Sequence, residues 1–444
     1  MLEICKKLVA QALSAGADSA DCIATATEGI SADIYEGHVD EFQKSQTQGI
    51  GLRVLQNGRV GYAYTEQIEQ AGQIVEKALA SASVTDVDEY ACIFEQAKTY
   101  VSEQPGQVAL SPEISQKIVD KALSLYHAVM SQKHIENVQG CSAEMDRTFV
   151  YFANSAGTEG RASRQSAALF VDAVAKIESW TDSGWAFAVS QTLEDLDEYE
   201  VAQKAQQKAV QYYKAGRAEN GLMPVIFHGQ AMVDLLGAFA PVFSAERAQK
   251  GLSQLAGKQG QRIAADCVSL VDTPEHPLLG PGLPFDGEGV PTAPLTLIDR
   301  GVLKTLLYSL SSAKQDGVQS TGHGRRGYNS QVSIAPHVFT IQPGEQDFAA
   351  LCQMAGSGVV IYEVSGLHAG VNDVSGDFSL LCKGRKIENG AEGEAVEQMV
   401  VSGNFFAMLL AVQAVGNDMQ YSIPGGSCMA SPSLFVGSLS IAGN

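Results

Sequence analysis

Apolar and polar residues alternate along several stretches of the chain, which is the pattern of half-buried strands. The alternation runs over residues 50–54 and again over 60–64, on either side of Asn57-Gly58. Asn-Gly is a favoured pair for a two-residue hairpin turn. Asn389-Gly390 lies between two further extended runs. The sequence therefore predicts a β-hairpin at each of these two turns.

Other stretches of the chain have apolar residues at the spacing of an amphipathic α-helix. This spacing predicts a first helix over residues 3–15 and another that begins after Ser111, an N-cap followed directly by Pro112. Extended runs follow each of these helices, and a charged helix ends at Gly216. The order helix, strands, helix thus occurs twice. We interpret it as a structural duplication with halves at about 1–100 and 110–218.

The length of 444 residues exceeds what one hydrophobic core usually supports, so two domains are expected. The charged, helix-like pattern ends near AGRAENGLMPV. The residues after it are rich in glycine and proline and contain apolar runs typical of buried strands. The predicted domains are residues 1–218 and 219–444. The predicted fold class is α+β, with an antiparallel sheet in the duplicated N-terminal domain. The C-terminal domain is expected to be β-rich, with mixed, irregular sheets and a few helices.

Residues 366–418 form a stretch with several predicted turns. Glycines recur through it, and glycine takes positive φ or permits close backbone approach without steric cost. The residues FFAMLLAVQAV within it predict a largely buried helix. Its polar residues Asn372 and Asp377 fall at predicted turns, where they serve either the turns or a ligand.

Composition narrows the class of partner and the compartment. The formal net charge of −20 argues against a nucleic-acid backbone or an anionic membrane as the main partner. No run of 18 apolar residues occurs, so no transmembrane helix is expected. The amphipathic first residues predict a helix and not a secretion signal. Eight scattered cysteines without a CxxC pair favour reduced thiols in a cytoplasmic protein.

An ordered series of short motifs spans nearly the whole chain: FDGEGVPTAPLTLIDRGVL, STGHGRRG, GVNDVSGDFS, IENG, SGNFFAM, VGND and SIAG. With this series the chain resembles the TldD/PmbA (TldD/TldE) family. The SGDFS segment before IENG resembles the PmbA/TldE form of that family. Ser375 stands where threonine is usual and Ala395 where proline is often found, so the chain resembles a divergent member.

The resemblance also bears on metal chemistry. TldD-type members resemble zinc peptidases, in which a helix carries His-Glu-x-x-x-His and a later cysteine is the third ligand. The corresponding helix here, QAMVDLLGAFAPVF, contains no histidine and no glutamate. Cys428 lies in the region of the cysteine ligand and is expected to be a free thiol; as a metal ligand it is a weak candidate. His228, before the helix, is expected to pack or to cap it.

Candidate binding residues come from two polar loops. His323 lies beside Arg325 and Arg326 in TGHGRRG, where the guanidinium groups could hold a carboxylate or a peptide C-terminus. A solvated loop is the other interpretation. Asn372 and Asp377 are candidates for peptide contact, with turn-forming roles as the alternative. No residue is predicted to be catalytic.

The resemblance implies a non-zinc subunit of a cytoplasmic TldD/TldE-type metallopeptidase complex that acts on peptides or small unfolded proteins. Zinc is then expected in a TldD-like partner and not in this chain. The family is also linked to an indirect DNA gyrase phenotype, and the acidic charge argues against direct DNA binding. Two alternatives stay open: a non-catalytic binding or scaffold homodimer, and a hydrolase that uses Cys428. Whether the chain is itself an enzyme is left open.

Overall fold

The computed structural model describes residues 1–103 and 107–443. Its α-helices, in chain order, are α1 Leu2–Ser14, α2 Ile74–Val84, α3 Pro112–Met130, α4 Glu198–Val210, α5 Gly229–Phe239, α6 Ala245–Gln249, α7 Leu310–Asp316, α8 Phe348–Ala355, α9 Leu367–Gly370 and α10 Phe405–Ala411. Two 3-10 helices, Ile68–Gln73 and Ala240–Phe243, precede α2 and α6. No helix in the described ranges is both long and apolar enough to cross a membrane.

Among the described residues, seven strands lie before residue 191 and fourteen follow from residue 221 onward. They are β1 Ser19–Tyr35, β2 His38–Gln56, β3 Arg59–Thr65, β4 Thr99–Glu103, β5 Ile135–Asn154, β6 Glu159–Ile177, β7 Trp180–Ser190, β8 Gly221–Phe227, β9 Leu270–Thr273, β10 Leu295–Asp299, β11 Val302–Leu303, β12 Gly324–Arg325, β13 Ser333–Ile334, β14 Val338–Ile341, β15 Gly358–Ser365, β16 Asp377–Glu388, β17 Ala391–Asn404, β18 Ala414–Val415, β19 Gln420–Tyr421, β20 Cys428–Ser431 and β21 Leu434–Gly443.

The chain forms two compact units that are not continuous in sequence. The first contains Met1–Val210, Pro274–Ala293 and Tyr308–Ser333. The second contains Gln211–Thr273, Pro294–Leu307 and the residues from Ile334 onward. The predicted division after residue 218 assigns everything beyond that point to one domain. In the structure, two later segments pack instead within the first unit.

The first unit is built on a seven-stranded sheet in the order β3-β2-β1-β5-β6-β4, with β7 also paired to β6. The meanders β1–β3 and β5–β7 meet where β1 and β5 pair antiparallel, from Asp21 opposite Asn154 to Asp33 opposite Ser142. Each meander begins after one helix and ends before another. The predicted antiparallel N-terminal sheet is confirmed, except that β4 is parallel to β6. The helix–strands–helix order occurs twice in this unit, as a duplication would produce.

All four long helices of this unit cover one face of the sheet. Leu8 of α1 and Ile74 of α2 are buried against Leu52 of β2 in one apolar cluster. In the second half, Ile118 of α3 is buried with Leu169 of β6 in another cluster. Burial of such side chains contributes about 1.5–3 kcal/mol each. The sheet and its helix layer are thus held by two cores, one for each repeat.

A glycine in the third strand of each repeat lets a helix approach closely. A Cβ added to Gly61 would lie 2.0 Å from the carbonyl oxygen of Ala78 in α2. A Cβ added to Gly184 would lie 2.6 Å from the carbonyl oxygen of Ala205 in α4. The same strand–helix contact therefore occurs in both halves of the duplication.

The opposite face of the same sheet is partly covered by the segment 283–290. Phe285 is buried there against Ile23, Val150, Phe152 and Ala162. Its ring centroid lies 6.0 Å from that of Phe152. This apolar contact and the charged groups beside it explain why Pro274–Ala293 belongs to the first unit.

Five strands of the second unit form a closed ring. The order is β17-β16-β15-β8-β21, and β21 also pairs with β17. Phe227 of β8 and Phe378 of β16 meet edge to face inside it, with centroids 6.5 Å apart. β8 and β15 are parallel, whereas β15 and β16 are antiparallel. Closure leaves the ring strands paired on both sides.

A second sheet in this unit has the order β11-β10-β9-β14-β20-β19 and is also mixed, since β14 and β20 are parallel. Helix α5 contacts β15 of the ring and β19 and β20 of this sheet. Its side chains are buried on most sides, including Met232, Leu235 and Phe239. The predicted β-rich, mixed architecture of the C-terminal part is confirmed.

Local signals in the sequence located the turns well. Asn57 and Gly58 both have positive φ, as do Asn389 and Gly390, so both predicted hairpins are present. The side chain of Ser111 caps α3 as predicted. The predicted helix FFAMLLAVQAV is too long: α10 ends at Ala411, because residues 414–415 leave the helix to pair with β21.

Replacing Gly61 by alanine is expected to destabilise the protein by about 1–3 kcal/mol, since the new methyl group overlaps the backbone of α2. Gly184→Ala should cost a similar amount through α4. Gly72→Ala is the matched control, because a Cβ there meets nothing within 4 Å, and its effect should stay within about 0.5 kcal/mol. Urea unfolding measures all three. Equal midpoints for the three variants would contradict the close packing.

Candidate functional site

Four charged side chains form a buried network on the face of the first sheet that is turned away from the helices. Arg53 donates from Nε to Asp21 Oδ2 at 3.0 Å and from Nη1 to Glu288 Oε1 at 3.0 Å. Arg326 donates from Nη1 to the other oxygen of Asp21 at 2.7 Å. Glu288 also accepts from the backbone N–H of Leu310 at 2.8 Å. Two positive and two negative groups therefore neutralise one another out of water.

The position of the network follows from strand alternation. Asp21 and Arg53 are directly opposite on β1 and β2, so their side chains share a face. The neighbours Ala20 and Cys22 are buried toward α1 and α2. Asp21 therefore points to the opposite face, under the segments that carry Glu288 and Arg326. Burial alone would raise the pKa of Asp21, but the guanidinium groups of Arg326 and Arg53 lower it below its ordinary value.

Asp286 lies beside this network and is fully buried. Its carboxylate accepts backbone N–H groups from Glu288, Val290 and Gly324 at 2.8–3.0 Å. Burial, followed by the nearby charge of Glu288, raises the pKa of Asp286 to about 8. Through these bonds the side chain joins two backbone segments, 286–290 and 324. Its proton is therefore coupled to the packing of both.

Sequence reasoning missed Asp21, Arg53, Asp286 and Glu288. Asp21 and Arg53 interrupt apolar strands, and a charge inside such a strand signals a buried partner. Asp286 and Glu288 alternate with glycines in FDGEGV. A Cβ on Gly287 would lie 2.6 Å from the backbone nitrogen of Arg326. These features mark unusual positions, but the pairings of Arg53 with Glu288 and of Arg326 with Asp21 span 235 and 305 positions.

The predicted residues of the TGHGRRG loop have different surroundings. His323 is 1% exposed, and its Nδ1 is 2.8 Å from Thr321 Oγ1. Arg325 is exposed, and its carbonyl accepts a hydrogen bond from Ser333. Arg326 is buried in the network, where its Nε and Nη2 have no hydrogen-bond partner among the described residues. These parallel donors form a fork suited to an oxygen acceptor.

The other predicted pair belongs to the second unit and is engaged in a turn. Asn372 Oδ1 accepts from the backbone N–H groups of Val374 and Ser375 at 3.1 Å. Asp377 accepts from Ser375 Oγ at 2.8 Å and from Asn404 Nδ2 at 2.9 Å. These two hydrogen bonds, the one from Asn404 first, lower the pKa of Asp377. Both side chains are exposed, so the turn leaves them accessible to a ligand.

The N-terminus of α5 is held by a chain of hydrogen bonds. His228 is the N-cap, accepting at Nδ1 from the N–H of Gln230, which is one of the two roles predicted for it. Ser433 Oγ accepts from the N–H of Gly229 at 3.1 Å and donates to Asp418 at 2.6 Å. The stretch 366–418 therefore ends on a carboxylate that fixes where this helix begins.

The residues of α5 do not fit a zinc ion. The helix, GQAMVDLLGAF, has no imidazole, and its buried side chains are apolar. Cys428 is a buried free thiol, as expected, whose Sγ lies 3.7 Å from Ser422 Oγ. Burial raises the pKa of the Cys428 thiol, with the hydrogen bonds from Ser422 opposing this. One thiol without an imidazole from α5 does not make up a zinc donor set, so the residues on and around α5 do not suit zinc.

Comparisons with known proteins identify the family. The profile of the PmbA/TldA metallopeptidase C-terminal domain matches residues 220–443, and the profiles of domain 1 and the central domain match residues 20–82 and 109–212. The chain belongs to the PmbA/TldD family. The predicted resemblance is thereby confirmed at the level of the family.

Individual members of the PmbA/TldD family match over almost their full length. A Thermotoga maritima structure, described as a candidate modulator of a DNA gyrase, is 31% identical, with a TM-score of 0.88 over 99% of both chains. TldE from Thermococcus kodakarensis shares the fold at 23% identity and a TM-score of 0.88, over 99% of this chain and 100% of that one. A metalloprotease PmbA homolog from Haemophilus influenzae is 24% identical, over 98% of this chain and 94% of its own length.

Replacing Arg53 by methionine is expected to cost about 3–5 kcal/mol of unfolding free energy, because Asp21 and Glu288 would lose a buried cationic partner. Arg161→Met is the matched control. Arg161 pairs with Glu103 at 3.4 Å, but both side chains are more than half exposed, so about 0–1 kcal/mol is expected. Denaturant unfolding compares them, and a small loss in Arg53→Met would show that the network is dispensable.

Asp286→Asn tests the buried proton. With a pKa of about 8 when folded and an ordinary value when unfolded, Asp286 keeps its proton in the folded state while the unfolded chain releases it. Its contribution to stability is therefore complete at pH below about 4 and declines as pH rises toward 8. The lowered pKa of Asp21 has the opposite effect. Its contribution to stability is present at neutral pH and is lost as pH falls through its folded pKa.

The free energy of unfolding of the wild type should therefore fall between pH 5 and pH 8 relative to that of Asp286→Asn. Urea unfolding at pH 5, 6, 7 and 8 gives both profiles. Parallel profiles would show that Asp286 binds no proton in this range.

Proposed function

We propose that the chain is the non-zinc subunit of a TldD/TldE-type metallopeptidase complex that acts on peptides or small unfolded proteins in the cytoplasm. The observation that carries the proposal is helix α5. Its sequence aligns in motif order with the zinc-binding helix of TldD-type members, yet it has neither histidine nor glutamate. A TldD-like partner would hold the zinc, and this chain would contribute to substrate binding.

The contacts at both ends of α5 support this proposal, because they fix the position of the helix although it carries no histidine or glutamate as a metal ligand. Ser433 and Asp418 fix its N-terminus, and Phe239 near its C-terminus stacks on Phe405 with centroids 4.3 Å apart. A helix retained in this way has a structural role in the unit. The kinship with TldE and PmbA proteins points in the same direction.

An open strand edge provides a structural basis for peptide binding. β3 pairs with β2 only from Ile50 to Gln56, so His38 to Gly49 have no strand on that edge within the described chain. An extended peptide can add to such an edge through main-chain hydrogen bonds. His323, Arg325, Arg326, Asn372 and Asp377 stay the candidates for side-chain contacts with peptide.

The test is metal content combined with reconstitution. The purified chain should contain far less than one zinc ion per chain by atomic emission. Mixed with a homologue that carries His-Glu-x-x-x-His, it should form a stable complex that degrades an unfolded peptide faster than either protein alone.

The homologue alone and this chain alone are the controls. Stoichiometric zinc in this chain alone would overturn the proposal. So would the finding that the chain binds none of the homologues from the same cell that carry His-Glu-x-x-x-His. If the isolated chain hydrolyses peptide and Cys428→Ser abolishes that activity, the thiol hydrolase is the better account.

A further inference from the structure

Four carboxylates lie on the face of the first sheet that the helices do not cover. Asp33 is on β1, Glu144 and Asp146 are on β5, and Asp172 is on β6. Their neighbours in each strand, such as Ala32, Ala143, Met145 and Val171, are buried toward the helices. Since successive side chains alternate, the four carboxylates share the other face. We call them the acidic face.

The acidic face lies beyond the part of the sheet that Phe285 covers. The residues packed under Phe285 extend to Val150 of β5. Asp146 and Glu144 lie four and six residues before Val150 in the same strand. Glu144 is exposed, and the other three are partly exposed. The acidic face is therefore open to solvent, in contrast to the buried network at the other end.

None of the four carboxylates forms an ion pair or a side-chain hydrogen bond with a described residue. Partial loss of hydration at the sheet surface, followed by the charges of Asp146 and Asp33, raises the pKa of the exposed Glu144. Burial also raises the pKa of Asp146 and of Asp172. Glu144 is therefore repelled by Asp146 and Asp33, and Glu144, Asp146 and Asp172 lose part of their hydration without an ion-pair partner among the described residues. Such an arrangement costs stability in the free protein.

The backbone makes room for one of these groups. A Cβ added to Gly29, the residue opposite Asp146, would lie 2.3 Å from Asp146 Oδ1 and 2.8 Å from Ser45 Oγ. The carboxylate thus lies across the glycine, close to the sheet. The close fit over the glycine holds it in place, with no hydrogen-bond partner for the side chain among the described residues.

An aromatic row borders the acidic face on β6 and β7. The ring centroids of Phe170 and Trp185 are 6.5 Å apart, and those of Trp185 and Phe187 are 6.0 Å apart. Asp172 is directly opposite Trp185 in the strand register. Trp185 is 38% exposed. Lys208 Nζ of α4 lies 4.4 Å from the centroid of the Trp185 ring. The carboxylates, and not this ring, would therefore receive the cationic groups of a ligand, and the aromatic row would receive its apolar groups.

We propose that the acidic face binds an extended peptide segment with basic side chains at alternate positions. Glu144 and Asp146 are two residues apart on one strand, a spacing of about 6.8 Å. An extended peptide presents alternate side chains at the same spacing. The aromatic row would receive its apolar side chains. Opposite charge selects this ligand over a second copy of the chain, whose net charge is −20.

Metal binding is the weaker use of these carboxylates. They are distributed over three strands and do not converge on one point, as the ligands of a cation must. The inference concerns binding by this chain alone. It does not depend on a zinc-bearing partner, so it can fail or succeed independently of the proposed complex.

Tryptophan fluorescence gives a direct readout. The chain has two tryptophans, Trp180 and Trp185, so Trp180→Phe leaves Trp185 as the single probe. The ligand is a seven-residue peptide of alternating lysine and alanine with a terminal phenylalanine, titrated into the full chain at low salt. A saturable change in Trp185 emission is expected, and it should weaken as salt is added.

The discriminating variant is Glu144→Gln combined with Asp146→Asn, which is expected to weaken binding about tenfold. Glu69→Gln with Glu76→Gln removes the same charge from exposed positions on the helix side of the first unit and should leave the affinity within about twofold. A peptide with glutamate in place of lysine should not bind.

Stability provides the second readout. Glu144→Gln with Asp146→Asn should raise the urea midpoint more than the control pair does, because it removes local repulsion. The proposal is overturned if the lysine peptide leaves Trp185 unchanged, if both double variants weaken binding equally, or if spermine binds as tightly as the peptide. Loss of stability in Glu144→Gln with Asp146→Asn would also contradict it, since the carboxylates would then be serving the fold.

Discussion

Two arginines and two carboxylates, buried on one face of the first sheet, connect parts of the chain that are far apart in sequence. Arg53 reaches Glu288 across 235 positions, and Arg326 reaches Asp21 across 305. Buried ion pairs add little net stability compared with apolar packing, but breaking one leaves an uncompensated charge. The network therefore fixes which segments lie on this face more than it strengthens the fold.

Much of the fold was predictable because its determinants are local. The turns at Asn57-Gly58 and Asn389-Gly390 require positive φ, which these residues tolerate, and Ser111 caps the helix that follows it. The repeated order of helix and strands was visible for the same reason. The helix after Asn404 was predicted too long because tertiary pairing of residues 414–415 with β21 overrides helical preference.

The candidate site was predicted only in part. Arg326 was predicted to bind a ligand because it is a basic residue in a glycine-rich loop. Nothing in the sequence indicated that Asp21 would be its partner. Asn372 and Asp377 were expected either to form turns or to bind a ligand, and the structure shows the turn. The carboxylates Glu144 and Asp146 look in sequence like ordinary polar positions of a strand. Their significance depends on Gly29 and on the absence of partners within residues 1–103 and 107–443, and neither is visible without the sheet register.

The closed ring of the second unit has a consequence for how the protein is made. β21 lies between β8 and β17, yet it follows both in the chain. During synthesis, β8 and β17 emerge with an unpaired edge each, and they keep it until residues 434–443 have left the ribosome. Open edges are templates for pairing with other chains. The nascent protein therefore keeps two strand edges open to pairing with other chains until this one strand inserts.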